Sequence, residues 1–536
     1  MEEQKQADPT IDISLQNMKD HFATGISKKV SYRREQLKKL IRGLKEMKSE
    51  ILLALKLDLK RSDYLSQILE YNHLLTEASA IRSNLSTWTK PEKVPTPIFL
   101  TPGCSYVKYE PLGVALIMNA WNFPFMGAIQ PLATAIGSGN MALIKTSEVA
   151  KSSSKIIKKL VEKYLDKKAY KVIEGDVEIS KEIITKPFDL LVFTGSPEKG
   201  RLVAEEAAKN LTPCILELGG KSPAIIDKSA NIDLTVSKIV FSRFINAGQT
   251  CVATDYLLVH DDISSDFKKT FTEKLVKELK RSFSGKSEKY LDSDKGAIIN
   301  EEHVERIKEY LSENHEGKVL FGVKNKEDLK DIKNNWIPPT IIEDPSIESK
   351  IMTEEIFGPI LPIISFSNIK EAIKFVNERP KPLALYYFGC NLRGNGKLVR
   401  DSTSSGSFVQ NETAFQSIHP YLPFGGVGNS GYGSYHGIYG FKNFSHPKAC
   451  LIRLPLNFYP FNSSTFPFTS LKEFTTKLFL GYGQIGQKQL IKRIIKLVIL
   501  FWLIKGFATG TFQKKWRMYK PMIMMVWGMI KPKFLR

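Results

Sequence analysis

Two short stretches of the chain contain residues that could carry out chemistry together. Residues 244–252 read Phe-Ile-Asn-Ala-Gly-Gln-Thr-Cys-Val, and Cys251 follows Gly248, where glycine allows the backbone to approach a ligand closely. Residues 216–222 read Leu-Glu-Leu-Gly-Gly-Lys-Ser, with Glu217 at the end of an apolar run. A cysteine thiolate is a nucleophile, and a carboxylate near the protein interior can act as a general base. Because 34 residues separate Cys251 from Glu217, only the fold can bring the two groups together.

The elements that must position this pair alternate between strands and helices. Short apolar runs predict strands at 104–110, 114–118, 141–144, 190–193, 214–218, 224–226, 256–260, 360–366 and 385–388. Amphipathic periodicity predicts helices at 27–60, 62–88, 125–136, 149–165, 197–210, 233–246, 266–282, 304–314 and 369–378. Strands separated by helices of this length indicate βαβ units and a mainly parallel sheet. We therefore expect two α/β halves with Glu217 at their junction.

Composition and cysteine usage indicate a globular protein of a reducing compartment. A chain of 536 residues, with 42% hydrophobic and 25% charged residues, is long enough for about two to three domains. Its five cysteines are odd in number and include no C-x-x-C pair, which argues against a disulfide framework and a thiolate zinc site. The polar N-terminal residues are not those of a signal peptide. The eight histidines form no H-E-x-x-H cluster, and we predict no metal site.

The basic charge of the chain is concentrated near its C-terminal end. Residues 474–536 contain 13 Lys or Arg and no Asp or Glu, so they carry 13 of the 21 net positive charges. Such a distribution indicates that this basic segment contacts a local anionic surface. It argues against nucleic acid as the partner of the protein. Two apolar runs with basic flanks, 494–504 and 522–530, lie in the same segment. We predict membrane association, by interfacial or hairpin insertion or by a true span, and keep a soluble helix that gates the active site as an alternative.

Further motifs follow one another along the chain in the order of a known family. They lie at 111–114, 121–125, 195–200, 354–359, 381–385 and 422–431. Together with the stretches around Glu217 and Cys251, they resemble the aldehyde dehydrogenase superfamily over about residues 20–450. The runs 431–437 and 444–446 resemble its class 3, fatty aldehyde dehydrogenase branch in particular.

The resemblance implies the fold class and the division of the chain. We expect the aldehyde dehydrogenase-like α/β fold, which has two α/β domains with mainly parallel sheets, a β-strand oligomerisation arm and here a hydrophobic basic tail. The expected regions are an NAD-binding domain at 11–93 and 111–217, a catalytic domain at 218–415, the arm at 94–110 and 416–450, and a C-terminal extension with the membrane segment at 451–536. The arm would pair two subunits in a homodimer.

The resemblance also assigns catalytic roles. Cys251 would add as a thiolate to the aldehyde carbonyl, and Glu217 would activate the water that hydrolyses the resulting thioester. The side-chain amide of Asn122 and the backbone N–H of Cys251 would bind the oxyanion, each such donor being worth about 3 kcal/mol. Taken by itself, the run 121–125 would equally suit an aromatic turn at the start of a helix.

The expected cofactor site begins at a strand-to-helix turn. Gly195 and Ser196 follow a predicted strand and open a predicted helix, where backbone N–H groups and the helix dipole attract a pyrophosphate. A Gly-Ser turn is by itself a weak signal. The resemblance adds Gly200 to this turn.

The remaining cofactor positions come from the resemblance alone. Lys145 and Glu148 match residues that contact the adenosine ribose, and Glu355 and Phe357 match residues around the nicotinamide ribose. Because the charge of Glu148 should repel a 2′-phosphate, we predict NAD, with NADP possible. Phe408 stands where the family has a small residue, and we expect it to narrow or reshape the substrate channel.

The expected function is NAD-dependent oxidation of medium- to long-chain fatty aldehydes to carboxylic acids through a cysteine thiohemiacetal and thioester. One alternative is a broader aromatic and aliphatic aldehyde dehydrogenase that uses NAD or NADP. Another is a catalytically inactive membrane-bound adaptor on the same fold. Reductive or CoA-acylating relatives do not need a water-activating carboxylate, so Glu217 argues against them. We expect an intracellular membrane, of the endoplasmic reticulum, a lipid droplet or the mitochondrial outer membrane, with the catalytic domain facing the cytosol.

Overall fold

The chain forms two compact units. The computed structural model describes residues 9–97, 100, 102–261, 266–283, 296–330, 332, 334–390, 393–455 and 466–473. One unit comprises residues 1–91 and 108–448, and the other comprises residues 92–107 and 449–536. Among the described residues, no helix combines the length and the apolar character needed to cross a bilayer. The apolar runs 494–504 and 522–530, for which we predict membrane association, lie outside the described residues.

The helices account for most of the predicted helical segments. They are α1 (Pro9–Ala23), α2 (Val30–Glu46), α3 (Lys48–Leu59), α4 (Asp63–Ser66), α5 (Asn72–Trp88), α6 (Pro124–Ser138), α7 (Lys151–Tyr164), α8 (Val177–Ile184), α9 (Pro197–Lys209), α10 (Ile232–Phe244), α11 (Phe267–Phe283), α12 (Glu301–Ser312), α13 (Lys350–Thr353), α14 (Ile369–Asn377), α15 (Asn395–Ser402) and α16 (Gly437–Asn443). A π-helical segment, Gln67–Tyr71, joins α4 to α5. The predicted helix 27–60 is divided in two, because the backbone at Met47 departs from helical geometry.

In the described part of the chain, the strands belong to three sheets. They are β1 (Glu92–Val94), β2 (Gly103–Pro111), β3 (Val114–Met118), β4 (Met141–Lys145), β5 (Tyr170–Ile173), β6 (Leu190–Gly195), β7 (Cys214–Leu218), β8 (Pro223–Ile226), β9 (Tyr256–His260), β10 (Lys318–Phe321), β11 (Thr340–Glu343), β12 (Ile360–Phe366), β13 (Ala384–Phe388), β14 (Ser407–Gln410), β15 (Gly431–Tyr432) and β16 (Ser445–Arg453). The strand orders are β15-β7-β6-β3-β4-β5, β10-β11-β12-β9-β8-β13-β14 and β1-β2-β16.

Both large sheets are mainly parallel, and this confirms the predicted fold class. In the six-stranded sheet only β15 runs antiparallel to its neighbour, and in the seven-stranded sheet only β10 does so. Strands β3 and β4 are buried along their whole length, as expected for parallel strands covered on both faces. One hydrophobic cluster packs α2, α3 and α5–α7 on the six-stranded sheet, and a second packs α12 and α14 on the seven-stranded sheet.

Glu217 lies where the chain passes from one large sheet to the other. It is the fourth residue of β7 and is paired with Thr194 of β6 and Gly431 of β15. Beyond β7 the chain continues to β8, which belongs to the seven-stranded sheet. The carboxyl ends of parallel strands meet at one edge of a sheet, which is where open α/β sheets bind ligands. The ends of β4, β6 and β7 therefore place several of the predicted site residues at one edge.

The sequence patterns missed some elements. Helices α1 and α8 and strands β5, β10, β11, β14 and β16 were not predicted. Several of these strands are only partly buried, so they lack the continuous apolar run that identifies β3 and β4. The functional division of the chain at 93, 110, 217 and 415 stays a prediction.

Candidate active site

The backbone turn that precedes Cys251 is left-handed over three residues. Helix α10 ends before this turn, in which Asn246, Ala247 and Gly248 have φ of 56°, 54° and 78°. A Cβ at Gly248 would lie 2.2 Å from a backbone carbonyl oxygen, so only glycine fits there. A non-glycine residue in such a conformation costs about 1–3 kcal/mol, and such strain is concentrated at functional sites. The helix predicted over 233–246 is therefore too long, and Cys251 lies in an irregular turn.

A cavity of about 1450 Å³ is lined by all but one of the predicted site residues. The lining includes Asn122, Lys145, Glu148, Gly195, Ser196, Glu217, Cys251, Glu355 and Phe357. The exception is Gly200, which is not among the described residues of the lining. A Cβ at Gly200 would lie 2.5 Å from a methyl carbon of Leu218, so this glycine allows α9 to pack closely on β7.

The carboxyl group of Glu217 is buried, and no charged side chain of the described residues pairs with it. Its side chain is 2% exposed, and its Oε1 has no hydrogen-bond partner among the described residues. Burial raises the pKa of Glu217 well above its usual range, and a hydrogen bond from the backbone N–H of Gly426 opposes the rise only in part. A carboxylate with a raised pKa is a stronger base, which is the property required of a group that deprotonates water.

The thiol of Cys251 is free and lies in the wall of the same cavity. Burial raises the pKa of Cys251, and the charges of Glu217 and Glu355 raise it further. The backbone N–H groups of Cys251 and Val252 act in the opposite direction but do not reverse the shift. Because the thiolate is the reactive form, Cys251 must lose its proton before its sulfur can add to a carbonyl group.

One of the two N–H donors of the Asn122 side-chain amide is already engaged in a hydrogen bond. It is buried, and its Nδ2 donates to the carbonyl oxygen of Gln249 at 3.2 Å. A primary amide has two N–H donors, so the second remains for a ligand in the cavity. The backbone carbonyl of Asn122 accepts from Arg61 Nη2 at 2.5 Å and from Asn246 Nδ2 at 3.3 Å. The amide of Asn122 is thereby tied to the turn that precedes Cys251.

Another set of lining residues suits a dinucleotide. Gly195 and Ser196 stand at the N-terminus of α9, where Ser196 caps the helix by accepting from the backbone N–H of Lys199 at 3.3 Å. The Nζ of Lys145 donates to Glu148 Oε2 at 2.8 Å, so an ammonium and a carboxylate are presented together. These groups suit a pyrophosphate and ribose hydroxyls.

Glu355 lies against Gly219, and the resemblance places it near the nicotinamide ribose. A Cβ at Gly219 would lie 2.1 Å from Glu355 Oε2, so the carboxylate rests against glycine backbone. Burial, together with the charge of Asp255, raises the pKa of Glu355 to about 8. Within the described residues, no group of three His, Cys, Asp or Glu is arranged to hold a metal ion.

Part of the cavity wall is aromatic and aliphatic. The rings of Phe241 and Phe415 stack with centroids 5.9 Å apart and planes at 5°, and Ile245 and Ile418 extend this surface. Phe408 is not among the described residues of the lining, since it packs in the hydrophobic cluster of the seven-stranded sheet. Phe408 therefore does not narrow the channel by lining it, and the expectation that it reshapes the channel stays a prediction.

Sequence reasoning missed several other residues of the cavity. Tyr435 is buried, and burial followed by the charges of Glu217 and Cys251 raises its pKa. The ring of His303 lies over Trp121, with centroids 4.9 Å apart. Tyr435 lies in the run 431–437, which resembles the class 3 branch, and this motif could have indicated Tyr435 as a residue of the site.

Comparisons with known proteins agree with this geometry. A family model described as "Aldehyde dehydrogenase family" matches residues 3–450. The chain is 39% identical over 443 residues to aldehyde dehydrogenase family 3 member A2 of Rattus norvegicus, an alignment that covers 82% of this chain and 88% of that protein. It is 40% identical over 435 residues to the mouse (Mus musculus) protein named "Aldehyde dehydrogenase, dimeric NADP-preferring", covering 81% and 93%.

A solved structure shows the same fold. The substrate-bound state of Staphylococcus aureus AldH superimposes with a TM-score of 0.80 at 37% identity, covering 88% of this chain and 99% of that one. The resemblance to the class 3 aldehyde dehydrogenases is therefore confirmed.

Replacement of Glu217 by glutamine is expected to raise the melting temperature more at pH 8 than at pH 5. Because burial raises the pKa of Glu217 in the folded protein, its carboxyl group destabilises the fold as the pH rises above the unfolded value of about 4.3. Glutamine has the same shape and no charge to desolvate. We expect the gain at pH 8 to exceed that at pH 5 by about 2 °C or more in thermal unfolding.

The control for this measurement is Glu205→Gln, which removes an exposed carboxylate on α9. It reports the general effect of one lost negative charge. Equal shifts at both pH values for Glu217→Gln, or a lower melting temperature at pH 8, would contradict the buried, unpartnered carboxylate.

Proposed function

The chain belongs to the aldehyde dehydrogenase family, and we propose that it oxidises medium- to long-chain fatty aldehydes to carboxylic acids with NAD. Aldehyde oxidation with NAD or NADP follows from the family. The chain length, the preference for NAD and the roles of individual residues are the proposal. The observation that supports it most strongly is that Cys251, Glu217 and Asn122 line one cavity together with an apolar wall.

In the first half of the proposed cycle, Cys251 is acylated. Cys251 releases its proton to solvent, and the resulting thiolate adds to the aldehyde carbonyl carbon to give a thiohemiacetal. Asn122 Nδ2 and the backbone N–H of Cys251 donate to its oxyanion, each contributing about 3 kcal/mol in such a site. The dinucleotide, when bound, supplies the acceptor for the hydride that leaves this carbon. An acyl thioester then remains on Cys251.

In the second half, Glu217 acts on water. It removes a proton as the water oxygen adds to the thioester carbon, and the same two donors stabilise the second oxyanion. The carbon–sulfur bond breaks, the carboxylic acid leaves, and the sulfur of Cys251 is released for another cycle. The raised pKa of Glu217 supports this role, because a more basic carboxylate takes a proton from water more readily.

The preference for NAD is proposed from the charge at Glu148. Its carboxylate pairs with Lys145 at 2.8 Å on the side of the cavity where the adenosine ribose is expected. A 2′-phosphate would meet this negative charge, whereas a 2′-hydroxyl could donate a hydrogen bond to it. The mouse relative is named NADP-preferring, so the two cofactors need to be compared directly.

The proposal of fatty substrates is supported by the apolar wall. Burial of each additional methylene contributes about 0.8 kcal/mol, so an alkyl chain along Phe241, Phe415 and Ile418 gains affinity with length. The basic, apolar segment 474–536 supports placement on a membrane, where such aldehydes dissolve. We place the enzyme on an intracellular membrane with its catalytic domain in the cytosol.

A homodimer is also part of the proposal. The mouse relative is named dimeric. Strand β16 carries Leu451 and Ile452, which are about half exposed, and Leu454 follows them with similar exposure. A second subunit would cover this apolar edge, in the arm predicted at 94–110 and 416–450 and the residues next to it.

Purified protein is expected to reduce NAD in the presence of hexadecanal, and to do so faster than it reduces NADP. Cys251→Ser should lower kcat/KM by more than about 10³-fold, because the hydroxyl is a far weaker nucleophile than the thiolate. The assay is dinucleotide absorbance in a series of aldehydes of increasing chain length.

Cys214→Ser is the matched control for this assay. Cys214 is a half-buried thiol that is not among the described residues lining the cavity, so its replacement should leave turnover within about twofold. Unchanged turnover of Cys251→Ser would refute the nucleophile assignment, and a decline of kcat/KM with chain length would refute the fatty substrate.

Deletion of residues 481–536 is expected to release the protein from membranes. The segment contains both apolar runs and most of the basic residues that would contact anionic lipid head groups. The measurement is the distribution of full-length and truncated protein between supernatant and membrane pellet after a carbonate wash. A short soluble aldehyde should still be oxidised by the truncated protein, which shows that it is folded. Continued pelleting of this active protein would contradict the anchor.

A further inference from the structure

A buried guanidinium contacts both elements that hold the reacting groups. Arg61 lies between α3 and α4 and is fully buried. Its Nε donates to Asn246 Oδ1 at 2.8 Å, its Nη1 to Glu70 Oε1 at 2.5 Å, and its Nη2 to the backbone carbonyl of Asn122 at 2.5 Å. Its Cζ lies 4.7 Å from the ring centroid of Phe123. Every nitrogen of the guanidinium is thus engaged.

Glu70, the partner of Arg61, fixes the start of the helix that follows Asn122. Its Oε2 accepts from the backbone N–H groups of Phe125 and Met126, both at 3.0 Å. These groups lie in the first turn of α6, where the helix dipole favours a negative charge. Glu70 itself lies in the π-helical segment Gln67–Tyr71, and such segments occur frequently at functional sites.

The residues that Arg61 contacts are also bonded to one another. Asn246 Nδ2 donates to the carbonyl oxygens of Gln249 at 2.9 Å and of Asn122 at 3.3 Å. Asn122 Nδ2 donates to the same Gln249 oxygen at 3.2 Å. The amide of Asn122 and the turn that precedes Cys251 are therefore joined in a closed set of hydrogen bonds, with Arg61 bonded to both sides of it.

Stability alone is a weak reason for this arrangement. Removing two charges from water costs several kcal/mol per ion, and buried ion pairs can often be replaced by apolar residues without loss of stability. Catalytic groups must be held within about 0.5 Å of their productive positions. A planar guanidinium with donors in a fixed fork sets such distances, whereas an apolar side chain does not.

We infer that Arg61 is a positioning residue for the oxyanion site. By binding the Asn122 carbonyl and the Asn246 side chain, it sets where the free N–H of the Asn122 amide lies relative to the backbone N–H and sulfur of Cys251. Glu70 holds the guanidinium in place and ties it to α6. This inference rests on the proposed roles of Asn122 and Cys251.

Hydrolysis of p-nitrophenyl acetate tests the inference without a dinucleotide. The sulfur of Cys251 adds to the ester carbonyl, p-nitrophenolate leaves from the tetrahedral oxyanion, and water then cleaves the acetyl thioester to acetate. Arg61→Met is expected to lower kcat/KM about 100-fold, the loss typical of a misplacement of about 1 Å. Asn122→Ala should cause a similar loss, because it removes an oxyanion donor.

The decisive readout is the double variant. If Arg61 acts through Asn122, adding Arg61→Met to Asn122→Ala should lower kcat/KM by less than about twofold further. Arg33→Met is the matched control, because Arg33 is also a buried arginine that donates only to backbone carbonyls in its described hydrogen bonds. These are the carbonyls of Ser27, Lys28 and Gly137, and Gly137 lies at the end of α6 away from Asn122. The effect of Arg33→Met on kcat/KM should stay within about twofold in both backgrounds.

Several results would overturn the inference. They are an equal loss from Arg61→Met with and without Asn122, unchanged hydrolysis by folded Arg61→Met, or an Asn122→Ala variant of full activity. Thermal unfolding shows whether each variant is folded. If Arg61→Met does not fold, Arg61→Lys decides, because it keeps a charge for Glu70 but cannot form the three-way fork. It should lose about as much as Arg61→Met is expected to lose, and full activity would overturn the inference.

Failure of the proposed function is distinguishable from failure of the inference. Protein that hydrolyses the ester with the non-additive Arg61 effect, but does not oxidise hexadecanal, would refute the fatty-aldehyde substrate and retain the positioning role. Protein that oxidises hexadecanal, but shows additive losses in the double variant, would retain the fatty-aldehyde substrate and refute the positioning role of Arg61.

Discussion

The carboxyl group of Glu217 is buried at the edge of β7, and in the described part of the chain no cationic side chain pairs with it. This constraint determines the chemistry of the site. Because the charged form is poorly solvated, the carboxylate is basic enough to take a proton from water. Burial raises the pKa of Cys251, and the charge of Glu217 raises it further. The same exclusion of water strengthens each hydrogen bond that Asn122 can donate to an oxyanion.

The fold supplies this environment from three directions. Within the six-stranded sheet, Glu217 of β7 is flanked by β6 on one side and by β15 on the other. The left-handed turn at Asn246–Gly248 carries Cys251 to the cavity from the end of α10. Asn122 comes from the connection between β3 and α6. The buried Arg61 contacts both the turn and Asn122, which explains why distant segments must fold together before the site is complete.

The sequence predicts the scaffold better than the contacts within it. Buried strands such as β3 and β7 are recognisable as apolar runs, and Cys251 and Glu217 are recognisable because their neighbours follow a family pattern. The left-handed turn is not recognisable, because Asn246 and Ala247 are ordinary residues whose φ is imposed by tertiary contacts. Arg61 forms hydrogen bonds with Asn122 and Asn246, which follow it by 61 and 185 positions in the sequence. No local sequence pattern encodes such contacts. The motif predicts Gly200 as a cofactor-binding residue, whereas in the structure this glycine allows α9 to pack closely against Leu218 of β7.

The central claim is that Cys251 carries the acyl group and that Glu217 removes it with water. The most direct test is to mix Glu217→Gln protein with NAD and hexadecanal, quench with acid, and locate the acyl group by mass spectrometry of peptides. We predict one equivalent of NAD reduced per site and a palmitoyl thioester that accumulates on the peptide containing Cys251. Steady turnover without an adduct, or a palmitoyl group on another cysteine, would contradict this division of roles.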